Sequence, residues 1–297
     1  MTVGAGLAIV DSACEIFRDT KPYKQNPILL SLLNSLLRPY HCTVAEERLV
    51  AGSNLDYATM AVHLMDRLQA RGSLEGTDLV VLAQYLPNLH PLRITTSHLM
   101  HKYGLRGTAF ALSEREDAIA YVALKVIRQY LRSRQYRRAV LLVMDQNTIP
   151  YDSPDFASIK PENCGVALVL ELSSGDGQKR FLENSTESLA ERDLGTTLND
   201  RLEDIIRRHG LARDRLSVIA NARWYNRWEN RNGYDCRILV TNEEYLSASP
   251  FITYFTGKCG DDNIIFFHLD TDFKLHKAVL MSGKRSEMVN DHGRSMH

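Results

Sequence analysis

The side chains with the most chemical capacity in this 297-residue chain are five cysteines, ten histidines and several grouped arginines. Cys14, Cys42, Cys164, Cys236 and Cys259 stand far apart, are odd in number and form no C-x-x-C pair. Zinc sites and disulfide frameworks need closer or paired spacings, so these read as reduced thiols of a cytoplasmic protein. His98 and His101 lie three apart on a helical pattern and can share a face. The sequence places no third ligand beside them, so they read as structural and no metal site is expected. Arg128, Arg132, Arg134, Arg137 and Arg138 gather at the end of a helical pattern and the turn after it. They either complement a helix C-terminal dipole or form a dock for an acidic partner. The run from Arg223 to Arg231 holds both tryptophans. Exposed Trp and Arg are hot-spot types, so the run is either a substrate or partner surface, or a loop packed onto the core. Ser113 followed by Glu116 has the spacing of a helix capping box. Gly175-Asp176-Gly177 is a turn without the lysine and the strand–helix context of a phosphate loop.

Thirty-six basic residues balance 36 acidic ones. That balance argues against a nucleic-acid partner. No apolar run reaches the length of a membrane span, and the first residues lack the basic start of a signal peptide. No membrane partner is expected.

The elements that must position these groups are short apolar runs alternating with helical patterns. Gly6–Ile16, Leu79–Ala83, Thr108–Leu112, Ala139–Met144 and Val166–Leu172 read as strands, most of them apolar enough to be covered on both faces. Tyr57–Arg71 and Ala118–Leu131 read as helices, the second apolar nearly all round and therefore buried. This alternation predicts an α/β protein with much parallel pairing. The second half replays the first. Leu79–Ala83 is matched by Leu216–Ala220, Thr108–Leu112 by Arg237–Thr241, Ala139–Asp145 by Ile264–Asp270, and Val166–Leu172 by Lys277–Met281. The shared order predicts an internal duplication: residues 1–175, a shorter copy over residues 176–282, and a polar tail from 283 to 297.

This order, with its central buried helix, resembles the thiolase superfamily, most closely its ketoacyl synthase III branch. The resemblance covers about Thr2–Ser282. It is carried best by Leu99–Asp145, and by the glycine-containing strand Asn163-Cys164-Gly165-Val166-Ala167-Leu168-Val169-Leu170-Glu171. It implies a duplicated five-layer α-β-α-β-α fold and a dimer, homodimeric or with a Cys-bearing ketosynthase, paired through the strand Thr108–Leu112. It also implies acyl-CoA or phosphopantetheine-linked acyl groups as the carried species, with no tightly bound cofactor, and makes an acyl carrier protein a reasonable partner for the arginine group.

Members of that branch carry a cysteine at the N-terminus of the buried helix, where orphan amides and the dipole favour a thiolate. A histidine and an asparagine from the second half converge on the thioester oxygen. Here the nucleophile's place falls at Glu116 or Asp117, in Ser113-Glu114-Arg115-Glu116-Asp117. The histidine's place reads Asn221-Ala222-Arg223-Trp224. The asparagine's place reads Glu243-Glu244-Tyr245-Leu246-Ser247, with Asn242 about three residues away. The expectation is therefore a degenerate ketosynthase: a non-condensing partner subunit serving fatty-acyl, polyketide or specialised-metabolite biosynthesis. One alternative is an acyltransferase or condensing enzyme that uses Glu116, Asp117 or Ser113. Another is a non-enzymatic ligand- or partner-binding protein. Asn221, Arg223, Trp224 and Tyr245 are the candidate substrate-binding residues.

Overall fold

A computed structural model describes residues 5–90, 92–113, 117–152, 160–175, 177–191, 194–228, 235–257, 259 and 263–283. The first half supplies β1 (Gly6–Ile16), β2 (Leu79–Gln84), β3 (Thr108–Ser113), β4 (Arg138–Asp145) and β5 (Cys164–Ser173). The second supplies β6 (Arg180–Ser188), β7 (Leu216–Ala220), β8 (Arg237–Val240), β9 (Asn263–Leu269) and β10 (Lys274–Met281). Strand order across the sheet is β3-β2-β4-β5-β1-β6-β10-β9-β7-β8, which reads the same from either end once the second copy is renumbered. In each half three strands run parallel (β3, β2, β4; β8, β7, β9), followed by an antiparallel strand. The duplication inferred from residue order is thus present in the topology. Among the described residues the seam between halves is narrow: β1 and β6 pair through Leu7–Phe181 and Ala8–Arg180, and the Ile9 amide donates to the Lys179 carbonyl at 2.9 Å.

Eight helices are described: α1 (Pro27–Leu37), α2 (Glu46–Ala51), α3 (Tyr57–Ala70), α4 (Thr95–Lys102), α5 (Ile119–Arg132), α6 (Leu194–His209), α7 (Ala222–Arg227) and α8 (Ser249–Thr256). Strand alternation sorts their contacts into layers. Val80, Leu82, Val140, Leu142 and Met144 face outward and pack with Met60, Leu64 and Leu68 of α3. Leu79, Val81, Leu141 and Val143 face inward onto α5, and Ile264 and Phe266 of the other half meet α8 in the same core. Val218, Ile265 and Phe267 face outward again, onto α6 and α7. Helix, sheet, helix pair, sheet and helix make the five layers, because a strand apolar at every position must be covered on both faces. Gly107 at the start of β3 has φ +144, and a Cβ there would lie 2.0 Å from the Asp78 carbonyl oxygen, so only glycine lets β3 close onto β2.

Candidate functional site

The N-terminus of α5 points toward the C-terminal ends of the second half's parallel strands. Ser113 ends β3 opposite Gln84, and α5 starts at Ile119 with Ala118 as its cap and no side-chain cap bond. The predicted capping box of Ser113 with Glu116 lies partly outside the described residues; Ser113 itself is paired into β3. Glu116 lies outside the described residues. Asp117 sits just before the helix, its Oδ1 2.9 Å from Nε2 of His268. His268 is on β9, where alternation sends Ile264, Phe266 and His268 into the central layer, and its residue is 5% exposed. Asp117 keeps 36% of its side chain exposed and forms the outer end of the pair. Burial works to raise the Asp117 carboxyl, but the His268 imidazole and the nearby Arg223 guanidinium outweigh it and hold the group below the ordinary carboxylate range.

One turn along α5, Tyr121 lies behind this pair. Its ring is 5.9 Å from that of His268 and 6.0 Å from that of His276, and its buried hydroxyl has no hydrogen-bond partner among the described residues. Burial, then the charge of Asp117, raises the phenol's pKa, so it stays protonated and able to donate. His276 of β10 is bonded on both sides: Nε2 is 3.2 Å from Asp270 Oδ2 and Nδ1 is 3.0 Å from Thr186 Oγ1. Burial lowers the pKa of His276 despite Asp270, so the ring is neutral at pH 7. The result is a polar cluster of side chains in an otherwise apolar layer: the Asp117–His268 pair, the Tyr121 phenol beside it and the Asp270–His276 pair on the other side of that ring.

Asp145 at the end of β4 is fully buried and joins the two halves. Oδ1 accepts the amides of Tyr85 (2.9 Å) and Leu86 (3.0 Å) and the hydroxyl of Tyr57 (3.4 Å). Oδ2 accepts the amide of Ser247 (2.9 Å) and its hydroxyl. Burial outweighs these donors and pushes the carboxyl up to about 6. The bonds to Ser247 fix the turn into α8, where Leu246 adopts φ 41, ψ −123, a conformation that costs an L-residue about 1–3 kcal/mol. Cys164 lies opposite Asp145 on β5, its Sγ 3.6 Å from the Tyr245 carbonyl oxygen. Burial and then Asp145 raise its thiol well above the usual range, which makes it a poor nucleophile.

The other sequence candidates fall as follows. Asn221 caps α7: its Oδ1 accepts the amides of Trp224 and Leu269, and its Nδ2 donates to the Leu269 carbonyl. Trp224 stacks on Phe267 at 4.8 Å and packs against Trp228 at 4.5 Å, both indoles at most 1% exposed. The alternative of a tryptophan surface is thereby corrected, since the rings fill the outer core beneath α6. Arg223 is half-buried beside Asp117, and Tyr245 is half-buried against the central layer. The arginine group is divided. Arg128 is buried and donates to the carbonyls of Phe181 (2.7 Å) and Leu182 (3.0 Å), so it belongs to the core and not to a docking face. Arg138 pairs with Glu171 and donates to the Glu75 carbonyl. Arg132, Arg134 and Arg137 remain exposed.

His268, His276 and Tyr121 were missed by sequence reasoning. The available signal was a lone histidine in the apolar run Ile264–Leu269, at a position whose alternation faces inward. Among the described residues no three His, Cys, Asp or Glu side chains form a metal-binding group.

No protein-family model matches the chain, and no curated protein matches it by sequence. Solved structures do match. The tetronic acid condensing enzyme AbyA1 superposes with a TM-score of 0.63 at 16% identity, over 93% of this chain and 100% of that one. β-Ketoacyl-[acyl carrier protein] synthase III from Thermus thermophilus gives 0.63 at 15% identity, over 93% and 99%. ChlB3, an acyltransferase, gives 0.63 at 13% identity, over 94% and 98%. The chain therefore has the thiolase-like fold of ketoacyl synthase III and related enzymes.

Proposed function

We propose that this protein is a ketosynthase III-like subunit that does not itself condense, and that it completes a dimer with a Cys-bearing ketosynthase acting on acyl-CoA or carrier-linked acyl groups in the cytoplasm. The reading rests on one observation. Asp117, one of the two residues read at the place where the family carries its thiol, lies 2.9 Å from Nε2 of His268 at the mouth of α5. A carboxylate kept ionised by a histidine and the helix dipole is a weak nucleophile toward a thioester and a weak base. Thr108–Ser113, an edge strand, is the segment through which such a dimer would pair. The exposed Arg132, Arg134 and Arg137 are the part of the arginine group left to meet an acidic carrier protein. A second reading is favoured by the buried Tyr121 hydroxyl beside His268. In it a neutral His268 takes the proton of an acceptor hydroxyl or amine as that group bonds to the thioester carbon, Tyr121 hydrogen-bonds to the thioester oxygen, and the C–S bond then breaks with His268 returning the proton to the departing sulfur.

The test is incubation with acyl-CoA, followed by intact mass and free-thiol release, alone and after co-expression with a Cys-bearing ketosynthase from a neighbouring gene. The subunit reading expects no adduct and no thiol release alone, with stable co-purification and turnover in the pair. Thiol release by the single chain that disappears in His268→Ala and Asp117→Asn would replace it with the second reading.

A further inference from the structure

Helices α3 and α4 both end where the parallel strands β2 and β3 begin. Between the two turns that follow them lies an open cavity of about 570 Å³, inside the range of roughly 300–1,000 Å³ usual for small-molecule sites. About 17 Å of strand separates it from Gln84 and Ser113, so it is distinct from the site at the mouth of α5. Its walls are preformed. After α3, the Ser73 amide donates to the Leu68 carbonyl (3.0 Å), the Thr77 amide to that of Leu74 (3.1 Å), and Arg138 Nη1 to that of Glu75 (2.6 Å). After α4, the Leu105 amide donates to the Met100 carbonyl at 3.0 Å. The Tyr103 hydroxyl lies 2.7 Å from Asp66 Oδ1 and 3.0 Å from the Val62 carbonyl oxygen, which fixes its ring. Leu74, Leu105 and that ring give the cavity an apolar side, continuous with the core beneath α3. Its rim at Gly72, Gly76 and Gly104 carries no side chains, and a Cβ added at any of the three would meet nothing within 4 Å.

The charges of this cavity set it apart. Glu75 stands on one turn and Arg106 on the other, both exposed and both lining the space. They do not reach each other, and neither side chain makes an ion pair or hydrogen bond with any other described residue. Neighbouring charges are closed into pairs: Arg71 with Asp11, Lys102 with Asp66 and Arg138 with Glu171. The Glu75 wall is the negative one. It includes Asp78, whose carboxylate accepts the Arg137 and Arg138 amides at 2.9–3.2 Å, and the C-terminal carbonyls of α3 add to its potential. Thr77 in the same wall has a buried hydroxyl without a hydrogen-bond partner among the described residues. A simple anion would meet two carboxylates and two helix C-termini here, and a simple cation would leave Arg106 unmatched. A ligand carrying both charges and an apolar group matches all three surfaces.

We infer that this cavity binds a small zwitterion, a free α-amino acid with an aliphatic side chain, its ammonium on Glu75, its carboxylate on Arg106 and its side chain against Leu74, Leu105 and Tyr103. The inference does not rest on the proposed subunit role or on acyl transfer. The test is titration of the full chain with L-leucine, followed by saturation-transfer NMR and calorimetry, beside N-acetyl-L-leucine, which lacks the ammonium, and L-leucinamide, which lacks the carboxylate. Leucine should bind saturably and each analogue at least about tenfold more weakly, one charged hydrogen-bonded contact being lost in each. Glu75→Gln should weaken leucine about tenfold and leave N-acetyl-leucine unchanged, and Arg106→Gln should weaken leucine about tenfold and leave leucinamide unchanged. Melting temperatures of both variants should match the parent, since the two side chains are exposed and unpaired among the described residues. No saturable binding of leucine, an analogue that binds as tightly as leucine, or leucine affinity unchanged in either variant would each overturn the inference.

Discussion

Replacing Asp145 by asparagine tests whether the buried carboxylate is the joint between the halves. The side chain accepts five donors from four residues, on β2's following loop, α3 and the entry to α8. An amide of the same shape keeps an acceptor for Tyr85 and Leu86 but turns an NH2 toward the Ser247 amide. That unmade bond costs about 1–3 kcal/mol. The opposing effect is charge. The carboxyl's pKa is about 6 in the fold and 3.8 ordinarily, so as pH rises through this window the unfolded chain releases its proton first. Stability therefore falls with rising pH, by about 3 kcal/mol in all, and the loss is complete just above pH 6. Asparagine cannot titrate. The stability difference between the parent and Asp145→Asn should thus favour the parent at about pH 4 and shrink by about 2 kcal/mol by pH 6.5. Urea unfolding of both proteins across that range measures it. Parallel stability–pH curves would show that Asp145 is not a buried group of raised pKa, and the reasoning would fail.

Two further outcomes follow from packing. Trp224→Ala should cost about 3–5 kcal/mol in urea unfolding, because it empties the stack on Phe267 and Trp228, whereas an exposed indole would cost under about 0.5. Gly107→Ala should cost about 2 kcal/mol or more and speed amide exchange over Thr108–Ser113, since its Cβ would collide with the Asp78 carbonyl at a φ that alanine avoids.

Strands that pack on both faces announce themselves, so β2, β4, β5, β7 and β9 were readable as apolar runs, and the pairing of Leu79–Ala83 with Leu216–Ala220 and of Ala139–Asp145 with Ile264–Asp270 foretold the topology. β6 was not readable. Its inward positions carry Asn184 and Thr186, which serve hydrogen bonds to Tyr121 and His276 and break the apolar alternation. α1 was missed because it lies in the extra segment of the first half, for which the second half offers no counterpart. At the site, Asp117 was legible from its place before the buried helix. Its partner was not, because His268 lies 151 residues away on a strand that only sheet order brings across the central layer. The tryptophan run offered two readings, and only burial chose between them.

The short seam between β1 and β6 has a consequence for how the molecule must be made. Backbone pairing contributes little to holding the repeats together, so the join depends on side chains of α5 and α8 sandwiched between them and on the Asp145–Ser247 clasp. Either repeat alone would leave an inner apolar wall open to water. Neither can be expected to survive as a separate fragment, and the ribosome must deliver β9 and β10 before the earlier repeat has anything to close against.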